Sequence, residues 1–137
     1  MPMRARLPNT MRVWRRMVFL ATNGERFDML IKGKKVNNLI KRLRVKANGW
    51  VIVDHWDGDL LAFGVAHPRN VHRLVYISTA GMPPGRYYYA CEVASQREDC
   101  AYEEIEIGHR VEISRLQRAV AKHLAQHDID EQLRALA

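Results

Sequence analysis

The chain has 137 residues, of which 47% are apolar and 27% charged, and its formal net charge is +7. This length predicts a single domain that buries about two thirds of its unfolded surface without disulfides or a metal. The composition excludes a disordered chain. The longest apolar run, residues 60–66, is far shorter than the roughly 18–20 residues that cross a bilayer, which excludes an integral membrane protein.

The positive charge is concentrated in the first part of the sequence. Residues 1–50 hold 13 Lys or Arg against two carboxylates, whereas residues 51–137 hold 9 Lys or Arg against 13 carboxylates. A segment of this kind is typical of proteins that bind nucleic acid, anionic lipid headgroups or an acidic protein. We therefore expect a polyanionic partner.

The amino-terminal segment predicts a loose basic arm. Residues 1–10 contain two prolines and no periodicity, and a single α+β domain is expected at 11–137. The only apolar stretch of the first 24 residues, at 17–21, is shorter than the roughly 7–15 residues of a signal peptide core, so we expect a cytoplasmic protein. Met11 remains open as an alternative start.

A β-hairpin is predicted after the arm. Residues 11–21 are mostly apolar and residues 27–32 alternate, with Asn23-Gly24 between them as a strong two-residue turn signal. A helix over 12–20 is the competing interpretation, because its apolar residues also fit a 3.6-residue period. Three cations of this segment are added to the candidate nucleic-acid contacts: Arg12, Arg15 and Arg16.

A short amphipathic helix with a cationic outer face is predicted at about residues 36–47. Its apolar residues fall within an arc about 100° wide, the width of a stripe that faces a core. These are Val36, Leu39, Ile40 and Leu43. The other positions carry six cations and no carboxylate: Lys34, Lys35, Lys41, Arg42, Arg44 and Lys46. Such a face favours an anionic partner.

The ends of this helix follow from its flanking residues. Asn48-Gly49 is expected to end it, because both residues tolerate the left-handed conformation that closes a helix. Its start is open between a cap at Gly33 and a cap at Asn37. Val45 would project onto the polar face if the helix continued past Arg44.

The middle of the chain predicts antiparallel strands. Residues 50–56 and 59–66 form a hairpin around Asp57-Gly58, residues 71–79 a further strand, and residues 86–94 and 101–107 another pair. Gly108 is expected to end the sheet. With the first hairpin, this gives about six or seven short strands.

A carboxyl-terminal helix is predicted at about residues 114–126. Ser114 and Gln117 have the spacing of a capping box, and Leu116, Val120 and Leu124 follow at helical spacing. The segment from Asp128 is expected to cap a separate last helix. The predicted fold class is therefore α+β, with the basic helix and the carboxyl-terminal helix packed on one antiparallel sheet.

The three consecutive tyrosines suggest a possible aromatic platform for stacked bases. Alternation places Tyr87 and Tyr89 on one face of their strand and Tyr88 on the other, so one face is expected to display tyrosine. The competing interpretation is that tyrosine is simply a good strand residue, and the strand lacks the motif of RNA-binding sheets.

The sequence contains no recognisable enzyme motif. The cluster Asp54, His55 and Asp57 lacks the spacing of calcium and zinc sites and is typical of turn chemistry. His67, His72 and His109 have no identifiable partner. Cys91 and Cys100 are expected to be reduced, with a bridge across the hairpin as the alternative. We predict neither a metal nor a cofactor.

Three functional hypotheses follow. The first is a small non-enzymatic protein that binds DNA or RNA through phosphate contacts of the basic helix and arm. The alternative is a protein-interaction module of the inhibitor, immunity or effector type, which docks an acidic partner through the basic face or a sheet edge. An enzyme with an unfamiliar site around Asp54, His55 and Asp57 is the third.

Overall fold

The fold was analysed on a computed structural model, which describes residues 33–53, 59–95 and 101–136. Several predictions lie outside these residues. They are the basic arm, the first hairpin with Arg12, Arg15 and Arg16, the cluster of Asp54, His55 and Asp57, and Cys100.

The described residues form one antiparallel sheet and two helices, which confirms the predicted α+β class. The sheet has five strands rather than six or seven, and neighbouring strands follow one another along the chain in the order β1-β2-β3-β4-β5. The elements in chain order are α1 (Lys34–Leu43), β1 (Val51–Val53), β2 (Ala62–His67), β3 (Asn70–Ser78), β4 (Tyr87–Ala94), β5 (Tyr102–Val111) and α2 (Ile113–Leu136).

Both faces of the sheet are buried at its centre. Every residue of β2 is buried, and so are the last five residues of β3. Such strands carry apolar side chains on both sides and lose the alternation of a half-exposed strand. Without alternation, the sequence does not mark where β2 begins. The predicted strand at 59–66 therefore begins too early, since Leu60 and Leu61 continue the apolar run but are exposed and precede β2.

Helix α1 has the predicted inner face but ends earlier than predicted. Its four stripe residues are all buried. The helix covers Lys34–Leu43 instead of 36–47, because Arg44 adopts the left-handed conformation with φ 57° and ψ 46°. Asn48 then closes the turn by donating its backbone N–H and its side-chain amide to the Arg44 carbonyl. Within this turn Val45 is buried instead of lying on the polar face.

Helix α2 is a single helix of 24 residues, so the predicted end at 126 and the separate last helix are wrong. Two side-chain pairs one turn apart span the expected break, since Gln126 donates to Asp130 and His127 pairs with Glu131. Glu131 also pairs with Arg134. Pairs at this spacing stabilise a helix surface. The predicted capping box is also wrong, because the Glu112 carbonyl accepts the first helical hydrogen bond.

The two helices share one apolar core on the same face of the sheet. Leu116, Val120 and Leu124 of α2 join the α1 stripe in a cluster that also contains the inward side chains of β2 to β5. Burial of this apolar area is the main favourable term that holds the helices in place. The core therefore fixes which side of each helix faces outward.

The prediction that Gly108 ends the sheet is wrong, because Gly108 lies in the interior of β5. It pairs with Tyr89 across β4 and β5, and the tyrosine ring lies against its backbone. A Cβ atom on residue 108 would lie 2.0 Å from the ring carbon Cε1 of Tyr89. The ring is also anchored at its far end, where its hydroxyl donates to Glu106 at 2.6 Å. The glycine is thus required by close packing.

We expect Gly108→Ala to lower the free energy of unfolding by about 1–3 kcal/mol, the usual cost of forcing extra volume into a packed contact. Urea denaturation measures this value. The matched background is Tyr89→Leu, which removes the ring, and there the same glycine substitution should cost much less. An equal cost in both backgrounds would contradict the assignment of the clash to Tyr89.

Candidate nucleic-acid interface

The predicted cationic surface is present on α1 and the turn that follows it. All six cations are exposed: Lys34, Lys35, Lys41, Arg42, Arg44 and Lys46. Within residues 33–53, 59–95 and 101–136, none of them pairs with a carboxylate. Within the described part of the chain their charge is therefore not neutralised by a carboxylate.

The carboxyl-terminal end of α1 is fixed to the first turns of α2. The side-chain amide of Gln117 donates to the Arg42 carbonyl at 3.1 Å. Together with the shared core, this hydrogen bond places Arg42 beside the second turn of α2. The exposed cations near the start of α2 are Arg110, Arg115 and Arg118.

Charges of opposite sign gather at the two ends of the sheet. Strand β5 runs away from Glu103, Glu104 and Glu106 towards Arg110, and α2 then returns to the acidic end, where it carries Asp128, Asp130 and Glu131. His72 contacts the Tyr102 hydroxyl, which places the starts of β3 and β5 at the same end of the sheet. Most cations of the acidic end are paired: Arg69 with Asp128, Lys122 with Glu106 and Arg134 with Glu131.

The tyrosines have the structural role of the competing interpretation, and they do not form a platform for stacked bases. Alternation is confirmed, since Tyr87 and Tyr89 belong to the core beneath the helices and Tyr88 to the core on the other face. All three rings are nevertheless buried, because both sheet faces are covered at β4. They cannot stack on a base in this state.

Strand β5 is one of the two edge strands of the described sheet, with β1 at the other edge, and it carries exposed apolar side chains. Ile105 is 55% exposed and Ile107 is 52% exposed. The neighbouring glutamates Glu103, Glu104 and Glu106 give this edge the acidic character expected from the sequence. Charges at an edge strand oppose pairing with other strands.

A histidine cluster that the sequence did not reveal lies at the acidic end. The rings of His67 at the end of β2 and His127 of α2 lie 4.2 Å apart between centroids, and both side chains are nearly buried. His67 Nε2 lies 3.2 Å from Asp128 Oδ1, which also accepts a hydrogen bond of 2.7 Å from the Arg69 guanidinium.

The hydrogen bonds of His67 determine its proton position. The backbone N–H of Arg69 donates to Nδ1 at 3.0 Å, so Nδ1 has no proton and Nε2 carries it towards Asp128. Burial, followed by the nearby His127 ring, lowers the pKa of His67 below its usual value of 6.5. Protonation of Nδ1 would also break the bond from Arg69. We interpret His67 as a neutral side chain with both nitrogens satisfied.

This proton position argues against a metal centre at the cluster. The donor atoms of His67, His127 and Asp128 lie within 4.8 Å of one another, a spacing that a metal ion could bridge. A metal ligand must offer a lone pair, however, and the one on Nδ1 of His67 already accepts the Arg69 N–H. The Arg69 guanidinium also occupies Oδ1 of Asp128. The cluster fits a hydrogen-bonded contact between β2 and α2.

His123 is a second buried histidine, in the interface between α2 and the sheet. Its Nε2 donates to the Glu92 carbonyl at 3.0 Å, and its own carbonyl accepts a hydrogen bond from Arg73 at 2.7 Å. Burial is the main cause that lowers the pKa of His123 to about 4, and the positive charge of Arg73 acts in the same direction. This histidine is therefore neutral near pH 7.

Cys91 is a buried free thiol, in agreement with the expectation of reduced cysteines. Burial and then the charge of Glu106 raise its pKa to about 12. The thiolate is the reactive form, so this cysteine is chemically inert near neutral pH.

No family model, curated protein or solved structure matches this chain. In the described part of the chain, no helix is both long enough and apolar enough to cross a membrane.

We expect acidification to destabilise the fold through His123. In the unfolded chain this group binds a proton near its usual pKa of 6.5, but in the fold only near a pKa of about 4. Between these values the unfolded state binds more protons, so the free energy of unfolding falls by up to about 1.4 kcal/mol for each pH unit lost. The contribution of His123 to the free energy of unfolding is complete when the pH is above its pKa in the unfolded chain. It is lost as the pH falls through its pKa in the fold.

Urea denaturation at several pH values measures this slope. The comparison is His123→Gln, whose amide keeps a donor for the Glu92 carbonyl but does not titrate. The slope between about pH 6.5 and pH 4.5 should be smaller in the variant by about one proton. Identical slopes in the two proteins would show that His123 is not held neutral by burial.

Proposed function

We propose that this protein binds nucleic acid through the outer face of α1, mainly by contacts of its cations with phosphates. The observation that carries the proposal is the set of six exposed cations at 34–46, which have no carboxylate partner among the described residues. Contacts of this kind supply most of the non-specific affinity of proteins for nucleic acid.

Rigid presentation of these cations supports the proposal. The inner face of α1 is buried in the shared core, and its last turn is tied to α2 by the bond from Gln117 to the Arg42 carbonyl. A surface that does not reorganise loses less conformational entropy on binding. The cations near the start of α2 extend the same surface.

The buried aromatic residues favour contact with the phosphate backbone over base stacking. Every described Tyr and Phe is buried, so the described surface offers none of these rings to an unpaired base. Sequence preference arises from contacts with base edges or from deformation of the duplex. We therefore expect binding that depends weakly on sequence and strongly on salt.

Fluorescence anisotropy with single- and double-stranded DNA and RNA tests the proposal. Between about 50 mM and 200 mM salt, the affinity for a duplex should fall by about 10³-fold if six phosphates are neutralised. The α1 glutamine variant, in which Lys35, Lys41 and Arg42 are replaced with Gln, should bind a duplex more than about 100-fold more weakly at 0.1 M salt. Glutamine is also a good helix former, so α1 should remain intact.

The acidic end of the sheet supplies a matched control. The control variant is Arg69→Gln, Lys122→Gln and Arg134→Gln, which replaces three exposed cations that pair with carboxylates. Its net charge falls by the same amount as that of the α1 variant. Exposed pairs contribute little to stability, so this variant should fold. It should bind nearly as well as the wild type. Equal losses in both variants would assign binding to net charge, and a salt effect below about tenfold would exclude phosphate neutralisation.

A protein-interaction module is the second candidate, and the exposed isoleucines of β5 favour it. Ile105 and Ile107 would anchor a partner that adds to this edge of the sheet. A pull-down from the native host should then lose its partner with Ile107→Lys and keep it with the α1 glutamine variant, because anchors outweigh peripheral charges at interfaces. Loss with the α1 variant alone would contradict docking at the edge.

A further inference from the structure

Two non-glycine residues in the described part of the chain have a positive φ, and both are arginine. Arg44 has φ 57° and Arg110 has φ 59°. At the other three described positions of this kind the chain uses glycine, namely Gly49, Gly81 and Gly85. The left-handed conformation is unfavourable for residues with a Cβ atom and is normally left to Gly or Asn.

Arg44 occupies the left-handed position that terminates α1. Its N–H donates to the Lys41 carbonyl, and its carbonyl accepts from Asn48. Glycine is the usual residue at this position of a helix end, since only the backbone is needed to close the turn. These two hydrogen bonds would be made equally by glycine. The backbone therefore gives no reason for an arginine.

Arg110 occupies a similar position in β5. Tyr87 pairs with Val111 and Tyr89 pairs with Gly108, so β5 has one residue more than β4 between these pairs. The extra residue forms a β-bulge, in which a left-handed position is commonly glycine. A bulge also redirects the side chain of an edge strand. Here it redirects an exposed arginine.

Neither side chain has a structural role within residues 33–53, 59–95 and 101–136. Both are exposed, and neither forms a hydrogen bond or an ion pair with another described residue. Arg86, which lies near the same end of the sheet, pairs instead with Glu112 at 3.3 Å. The cost of the two left-handed arginines is thus not offset by contacts in this part of the fold.

Both arginines lie close to the start of α2. Arg44 follows Arg42, whose carbonyl accepts from Gln117 in the second turn of α2. Arg110 precedes Ile113, where α2 begins, by three positions. Arg44 thus follows a residue bonded to the second turn of α2, and Arg110 lies just before its first turn.

We propose that Arg44 and Arg110 are phosphate-binding residues, kept at left-handed positions because the guanidinium contacts nucleic acid at a cost in stability. Strained residues concentrate at functional sites, and activity is often retained at the expense of stability. This inference rests on the proposed function and adds to it. It extends the contact surface from α1 to the bulge of β5, and it explains both arginines by one requirement.

The test uses the full chain and measures stability and binding on the same variants. Arg44→Gly and Arg110→Gly should each raise the Tm by about 2–5 °C, because glycine relieves the strain. Each should also weaken binding of a mixed-sequence DNA duplex by about five- to tenfold at 0.1 M salt. The dependence of log affinity on log salt should lose about one unit of slope for each arginine.

Two controls separate charge from strain. Arg44→Lys and Arg110→Lys keep the charge and the Cβ atom, so they should leave the Tm near the wild-type value and should lose less affinity than the glycine variants. Arg134→Gln removes one charge from the acidic end, where Arg134 pairs with Glu131. It should leave the affinity nearly unchanged.

The outcomes distinguish this inference from the proposed function. If the wild type binds, the α1 glutamine variant does not, and both glycine variants bind as tightly as the wild type, the inference is overturned while the proposed function stands. A fall in the Tm of the glycine variants also overturns it, because the left-handed arginines would then not be a cost. If the wild type binds neither duplex nor single strand, both proposals fail.

Discussion

The packing of α1 and α2 into one core on the same face of the sheet is the constraint on which the surface depends. Val36, Leu39 and Ile40 meet the inward side chains of β2 and β3 in the same cluster as Leu116 and Val120. Once these apolar stripes are buried, the rotation of each helix about its axis is fixed. The cations of α1 must then face outward, and hydrophobic burial determines where the positive charge lies.

The elements that were predicted well are those whose residue pattern repeats over a few positions in the sequence. The stripe of α1 follows a helical period, and the tyrosines alternate between the faces of β4 as strand geometry requires. Burial of all three tyrosines was not foreseen, because it depends on both faces of the sheet being covered. The contact of Gly108 with Tyr89 was missed for a similar reason, since it depends on the pairing of β4 with β5.

The remaining errors arise where an unusual backbone conformation or a contact between distant residues decides the structure. The end of α1 depends on Arg44 and Asn48, neither of which has the strong preference of glycine for a left-handed turn. His67 and Asp128 lie 61 positions apart, and no pattern in the sequence connects them. The cations of the candidate interface were predictable because charge is a local property. Their neighbours on α2 and β5 were not, because only the fold brings them together.

Repulsion within the cationic surface lowers the stability of the free protein. This cost is the strongest physical reason to expect a partner. Six like charges lie at 34–46 without an interspersed carboxylate, and they repel one another. Arg44 and Arg110 add the cost of left-handed backbone at positions where glycine would serve. Bound phosphates would remove the repulsion and use the redirected guanidinium groups. Under the proposed function, binding of a polyanion would account for both features.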